Sequence, residues 1–173
     1  MNMRIAVGCM FLAFIVETTI VPWLVPIEWY GRVVPHFTFI FVLYSALYTG
    51  RHAALVLGLS FGLLQDIVFY GHMIGVHTFA MGLCGYVTGL LLERKRSPLL
   101  LALSVIGLAY LLYDSVVYMI YRAFRVTADT YTYVLMDSIL PSLFLQLGFA
   151  LAVYIPARKL LEGAAKPVSE DEE

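Results

Sequence analysis

Six apolar runs, parted by charge or by glycine and proline, leave this chain little from which to build a water-soluble core. They lie near residues 5–21, 33–48, 53–70, 74–92, 98–121 and 133–157. A helix needs about 20 residues to cross a ~30 Å hydrocarbon layer, so the chain has room for about six crossings and no separate soluble domain. With 61% hydrophobic and 13% charged residues and a mean hydropathy of +0.86, a soluble protein would carry more apolar side chains than it could bury. The expected fold is an all-α integral membrane protein. It is a compact bundle of six transmembrane helices over residues 1–161, followed by an acidic tail over 162–173. The second run is the weakest, being short with Pro35 and His36 at one end, and a re-entrant segment competes with a full crossing there. The first run begins near Arg4 as a signal peptide would. It is long, contains Glu17 and lacks a clear small-residue cleavage site, so it is expected to remain as an anchor.

Basic residues set the expected orientation. If the first span starts in the cytoplasm, that side collects Arg4, Arg51, Arg94, Lys95, Arg96, Arg158, Lys159 and Lys166, against Arg32, Arg122 and Arg125 on the far side. Trp23, Trp29, Tyr30, Tyr70, Tyr118, Tyr121, Tyr131 and Tyr133 then fall near the outer interface, where amphipathic rings anchor. Both termini are thus expected in the cytoplasm. A net charge of −1, with the basic residues single or in short runs, excludes a nucleic-acid partner. Cys9 and Cys84 fall inside apolar runs and read as small buried hydrophobes, and neither a metal nor a cofactor is expected.

Ionisable residues inside such runs are the candidates for function. Counted at about 1.5 Å per residue from the cytoplasmic ends, Glu17 lies roughly 18 Å into its span, Asp66 roughly 22 Å and Asp114 roughly 25 Å. His77 and Asp137 enter from the other side, so five such groups share the outer half of the bundle. Glu17, Asp66, His77 and Asp114 are read as an outward polar cavity or as a polar seam for a partner helix. The competing reading is that they reach the headgroups or bond to backbone, and Asp137 suits a helix cap equally well.

Spacing singles out one hairpin. Ala54, Gly58, Gly62 and Asp66 are each four apart, as are His77, Met81, Gly85 and Gly89, so each helix offers a ridge of mostly small residues that ends in a polar group. Gly58, Gly62, Gly85 and Gly89 are expected to let the two backbones approach, which brings Asp66 and His77 level and within pairing reach. Asp66→Asn, keeping shape and polarity, is then expected to leave folding nearly intact, while Gly62→Leu disrupts packing or assembly. Catalysis finds little support, because no nucleotide loop, zinc cluster or activated serine is present. Tyr113-Asp114 with Asp66 would make half of an intramembrane aspartyl pair, but the glycine two residues before the second acid is absent.

Pro35, Gly50, Gly58, Phe61-Gly62-Leu63-Leu64-Gln65-Asp66, Gly75-Val76-His77 and Gly85-Tyr86-Val87-Thr88-Gly89 together form a recognisable series. It resembles the MreD family of bacterial rod shape-determining proteins. One departure is Pro35-His36, where the family more often has an acid after the proline. The resemblance implies a non-enzymatic, lipid-embedded inner-membrane scaffold of the cell-elongation complex that directs lateral peptidoglycan synthesis. It also implies MreC as direct partner, with the actin-like MreB, RodA and the elongation-specific penicillin-binding protein at the level of the complex. A distant kinship to the six-helix substrate-capturing subunits of energy-coupling factor transporters supplies the alternative reading.

Overall fold

The computed structural model describes residues 3–20, 23, 34–69, 73–92 and 99–164, with backbone alone at 3–6 and 160–164. These residues form an all-α membrane protein, with no strand among them. Helix α1 (Met3–Ile15) continues into a π-helical turn, Val16–Ile20. Then come α2 (Phe37–Tyr48), α3 (Arg51–Val68), α4 (Val76–Leu92) and α5 (Leu99–Ala123). Helix α6 runs through Tyr131–Val134, the π-helical Leu135–Ile139 and Leu140–Ala164. Three stretches are long and apolar enough to cross a membrane, namely Arg51–Val68, Leu99–Ala123 and Tyr131–Lys159; the other helices are shorter apolar ones. Of the residues used above for topology, Trp29, Tyr30, Arg32, Tyr70, Arg94, Lys95, Arg96 and Lys166 lie outside the described residues, as does the tail from 165 onward.

The weakest run in the sequence forms the centre of the molecule. Helix α2 has 12 residues, of which ten are buried, and all five other helices pack against it. Its length, roughly 18 Å, falls short of the ~30 Å hydrocarbon layer. Enclosure by protein removes the need to match that thickness. Phe39, Ile40, Leu43 and Leu47 are fully buried, Phe39 stacks on Tyr113 of α5 with ring centroids 4.6 Å apart, and Phe37 stacks on Phe149 of α6 at 4.0 Å. The Tyr44 hydroxyl donates to the Ala150 carbonyl at 2.7 Å. In lipid such packing and bonding, rather than a hydrophobic drive between helices, holds the bundle together.

Helices α3 and α4 pack most closely, antiparallel, with their small-residue ridges face to face. A Cβ at Gly58 would stand 2.7 Å from the Met81 carbonyl oxygen, at Gly62 2.6 Å from the Thr78 Cα and at Gly89 2.5 Å from the Arg51 Cα. At Gly85 it would meet Val42 Cγ1 at 2.9 Å and the Ala54 carbonyl oxygen at 3.1 Å, so this glycine serves both α3 and α2. Two other glycines of the series work through conformation. Gly50, between α2 and α3, has φ +115°, and Gly75, opening α4, has φ +102°, values that L side chains rarely adopt.

The two π turns have local causes. Pro141 has no N–H to return to the carbonyl of Asp137, which loosens the ladder at the Leu135–Ile139 turn. In α1 the Thr18 hydroxyl donates to the Phe14 carbonyl at 2.9 Å, competing with the helix's own bonding where the Val16–Ile20 turn begins.

Candidate functional site

Both π turns border one cavity of about 520 Å³. Glu17 of α1 lines it, as do Pro35 and His36 before α2, Gln65 of α3, His77 of α4, Tyr110, Asp114 and Tyr121 of α5, Asp129 of the turn that follows, and Asp137 and Ser142 of α6. The cavity exists because α2 is short. Its N-terminus stops at Phe37, so the surrounding helices continue past it and enclose the space above.

That N-terminus would leave N–H groups unbonded inside the protein, and Glu17 supplies the acceptor from the neighbouring helix. Its Oε2 accepts from the Thr38 amide at 2.9 Å and from the Thr38 hydroxyl at 2.8 Å, while Oε1 accepts from Gln65 Nε2 at 2.6 Å. Glu17 is 2% exposed. His36 Nδ1 lies 3.8 Å from Glu17 Oε1, beyond hydrogen-bonding distance. Buried His36 Nδ1 and Gln65 Oε1 have no hydrogen-bond partner among the described residues.

Asp66 repeats the arrangement at α4 but stands behind the cavity wall rather than on it. Its Oδ2 accepts from the Gly75 amide at 2.9 Å, the Thr78 amide at 3.0 Å and the Thr78 hydroxyl at 2.6 Å, and its Oδ1 from the His77 amide at 3.1 Å. Asp66 and His77 therefore meet, but through the His77 backbone. The expected side-chain pair is replaced because the start of α4 presents several N–H donors to one carboxylate, a richer set than one imidazole offers. The His77 ring turns instead to α5, its Nδ1 2.6 Å from the Tyr113 hydroxyl. His36 packs edge-on against the same Tyr113 ring at 5.2 Å.

Of the residues singled out from sequence, Glu17, His77 and Asp114 come together on the cavity, joined by Asp137. Asp114 is half-buried, in hydrogen-bonding reach of Tyr110. Asp137 is not a helix cap, since α6 begins at Tyr131 with Thr130 at its N-cap. Gly58, Gly62, Gly85 and Gly89 lie between helices, away from the cavity. Sequence reasoning missed Thr38, Gln65, Tyr110 and Ser142, and treated His36 only as a mark of the second run's edge. Their signal was a polar atom inside an apolar run. Ser142 and Gln146, four apart on α6 and both buried, carry that signal with helical spacing.

A family model described as "rod shape-determining protein MreD" matches residues 1–163, a range that takes in nearly all the described helices. The chain belongs to the MreD family. No curated protein and no solved structure matches it. Membership gives a role in rod shape determination within the context of the rod complex. Of the series read from the sequence, Pro35 lines the cavity, Gly50 and Gly75 take up positive φ, and Asp66 closes the start of α4.

Proposed function

We propose that this chain is a non-enzymatic scaffold subunit of the rod complex in the bacterial cytoplasmic membrane, with both termini in the cytoplasm. It binds MreC directly and through it helps to place lateral peptidoglycan synthesis, with MreB, RodA and the elongation-specific penicillin-binding protein in the same assembly. The family match over residues 1–163 carries this reading. Two features of the interior support it. Glu17 and Asp66 are engaged as caps for neighbouring helices and are not arranged as nucleophile, base and orienting group. The packing glycines are occupied between α3 and α4, which leaves the outward faces of the bundle for a partner.

The test is purification of the tagged protein from native membranes. MreC is expected to co-purify, and its absence, with the protein itself folded, overturns the reading. The cavity favours one alternative, a substrate-capturing subunit of an energy-coupling factor type transporter. Tight binding of a vitamin-like ligand together with recovery of an ATPase pair would establish that alternative.

A further inference from the structure

The cavity has a one-sided chemistry. Glu17, Asp114, Asp129 and Asp137 all line it, and no lysine or arginine does among the described residues. At its floor the Gln65 amide is fixed in orientation, because Nε2 donates to Glu17 Oε1 at 2.6 Å, so the buried atom left without a partner, Oε1, is an acceptor waiting for a donor. Gln65 is 1% exposed and His36, with its unpartnered Nδ1, is 8% exposed. Tyr118 and Tyr121 add aromatic walls. The volume of about 520 Å³ falls in the range of small-molecule sites. No group of three histidine, cysteine, aspartate or glutamate side chains is gathered to hold a metal ion among the described residues.

From these features we propose that the cavity binds an organic cation bearing N–H donors, of the amidinium, guanidinium or primary ammonium class. Its N–H groups meet Gln65 Oε1 and its charge faces the carboxylates. An anion would meet acids on several sides, and a neutral molecule would bring them no opposite charge. The assignment stands apart from the MreC reading, because it concerns what occupies the cavity and not which protein docks outside.

The test uses the full-length protein in phosphatidylcholine nanodiscs, titrated calorimetrically with benzamidine and with its neutral and anionic analogues, benzamide and benzoate. Benzamidine is expected to bind about tenfold more tightly than either analogue. Asp114→Asn is expected to weaken benzamidine about tenfold with the melting temperature unchanged. Should that variant melt lower, Asp129→Asn on the exposed turn carries the test, with an expected loss of about threefold. Repeating the titration with phosphatidylethanolamine in the disc separates two sources of the same chemistry. Competition identifies a lipid headgroup, its absence identifies a solute, and either supports the proposal. Undetectable benzamidine binding, benzamide or benzoate binding as tightly, or indifference to the removal of both acids overturns it.

Discussion

Glu17 closes the start of a helix to which it does not belong, its Oε2 lying 2.9 Å from the amide nitrogen of Thr38 and 2.8 Å from that residue's hydroxyl. Asp66 does the same for α4. In both cases a helix begins within the bundle, and a carboxylate from the preceding helix replaces the solvent that would otherwise bond its first N–H groups.

Removing the first of these caps has a graded outcome. Glu17→Ala strands the Thr38 amide and the Gln65 side chain in a buried site, with an expected loss of about 2–4 kcal/mol. Glu17→Gln is expected to cost less than about 1.5 kcal/mol, because Gln65 can reverse its amide and offer the currently unpartnered Oε1 to the new donor. Unfolding equilibria in mixed micelles check both. Equal losses for the two variants would show that Glu17 does not act as an acceptor.

The second cap reverses an expectation drawn from sequence. Asp66→Asn was expected to be nearly silent, but every partner of Asp66 donates, and both of its oxygens are used. An amide nitrogen in place of one oxygen faces donors on α4. The expected loss is about 1–2 kcal/mol, and Asp66→Ala is expected to equal or exceed it. Thermal melts of the two variants beside the wild type decide the matter.

The glycines separate into two sets. Gly62→Ala and Gly89→Ala place a Cβ 2.6 Å and 2.5 Å from opposing backbone, so each is expected to cost about 1–3 kcal/mol and to lower accumulation in the membrane. Gly8→Ala and Gly148→Ala, with nothing within 4 Å of the added methyl, are expected to be neutral. Melting temperatures and membrane yield across the four variants provide the comparison, and a larger loss at Gly148 than at Gly62 would contradict the packing described.

Topology is tested by labelling. In a background lacking Cys9 and Cys84, single cysteines at Ala128 and Gly163 are expected to react from opposite sides of the membrane. Reaction of both from the periplasm would refute the orientation in the proposed function.

The α3–α4 hairpin was legible in the sequence because close backbone approach demands small residues, and four-residue spacing puts them on one face. The place of α2 was not legible. Hydropathy reports suitability for lipid, whereas this helix is surrounded by protein, so its shortness looked like weakness. Glu17 was noticed as a buried acid, but its partners Thr38 and Gln65 stand 21 and 48 residues away, and only the packing of three helices joins them. Asp66 and His77 were correctly placed side by side. Which atoms met depended on the exact start of α4, a boundary that spacing alone leaves open by a residue or two.

The bond between the Tyr44 hydroxyl and the Ala150 carbonyl joins positions 106 residues apart. Synthesis proceeds from the N-terminus, so the central helix is made early and its enclosure late. Until residue 150 has left the ribosome, α2 can sit beside its early neighbours but has neither this acceptor nor the α6 wall. A chain that stops before the last helix therefore leaves the Tyr44 hydroxyl without its Ala150 acceptor and the Phe37 ring without Phe149.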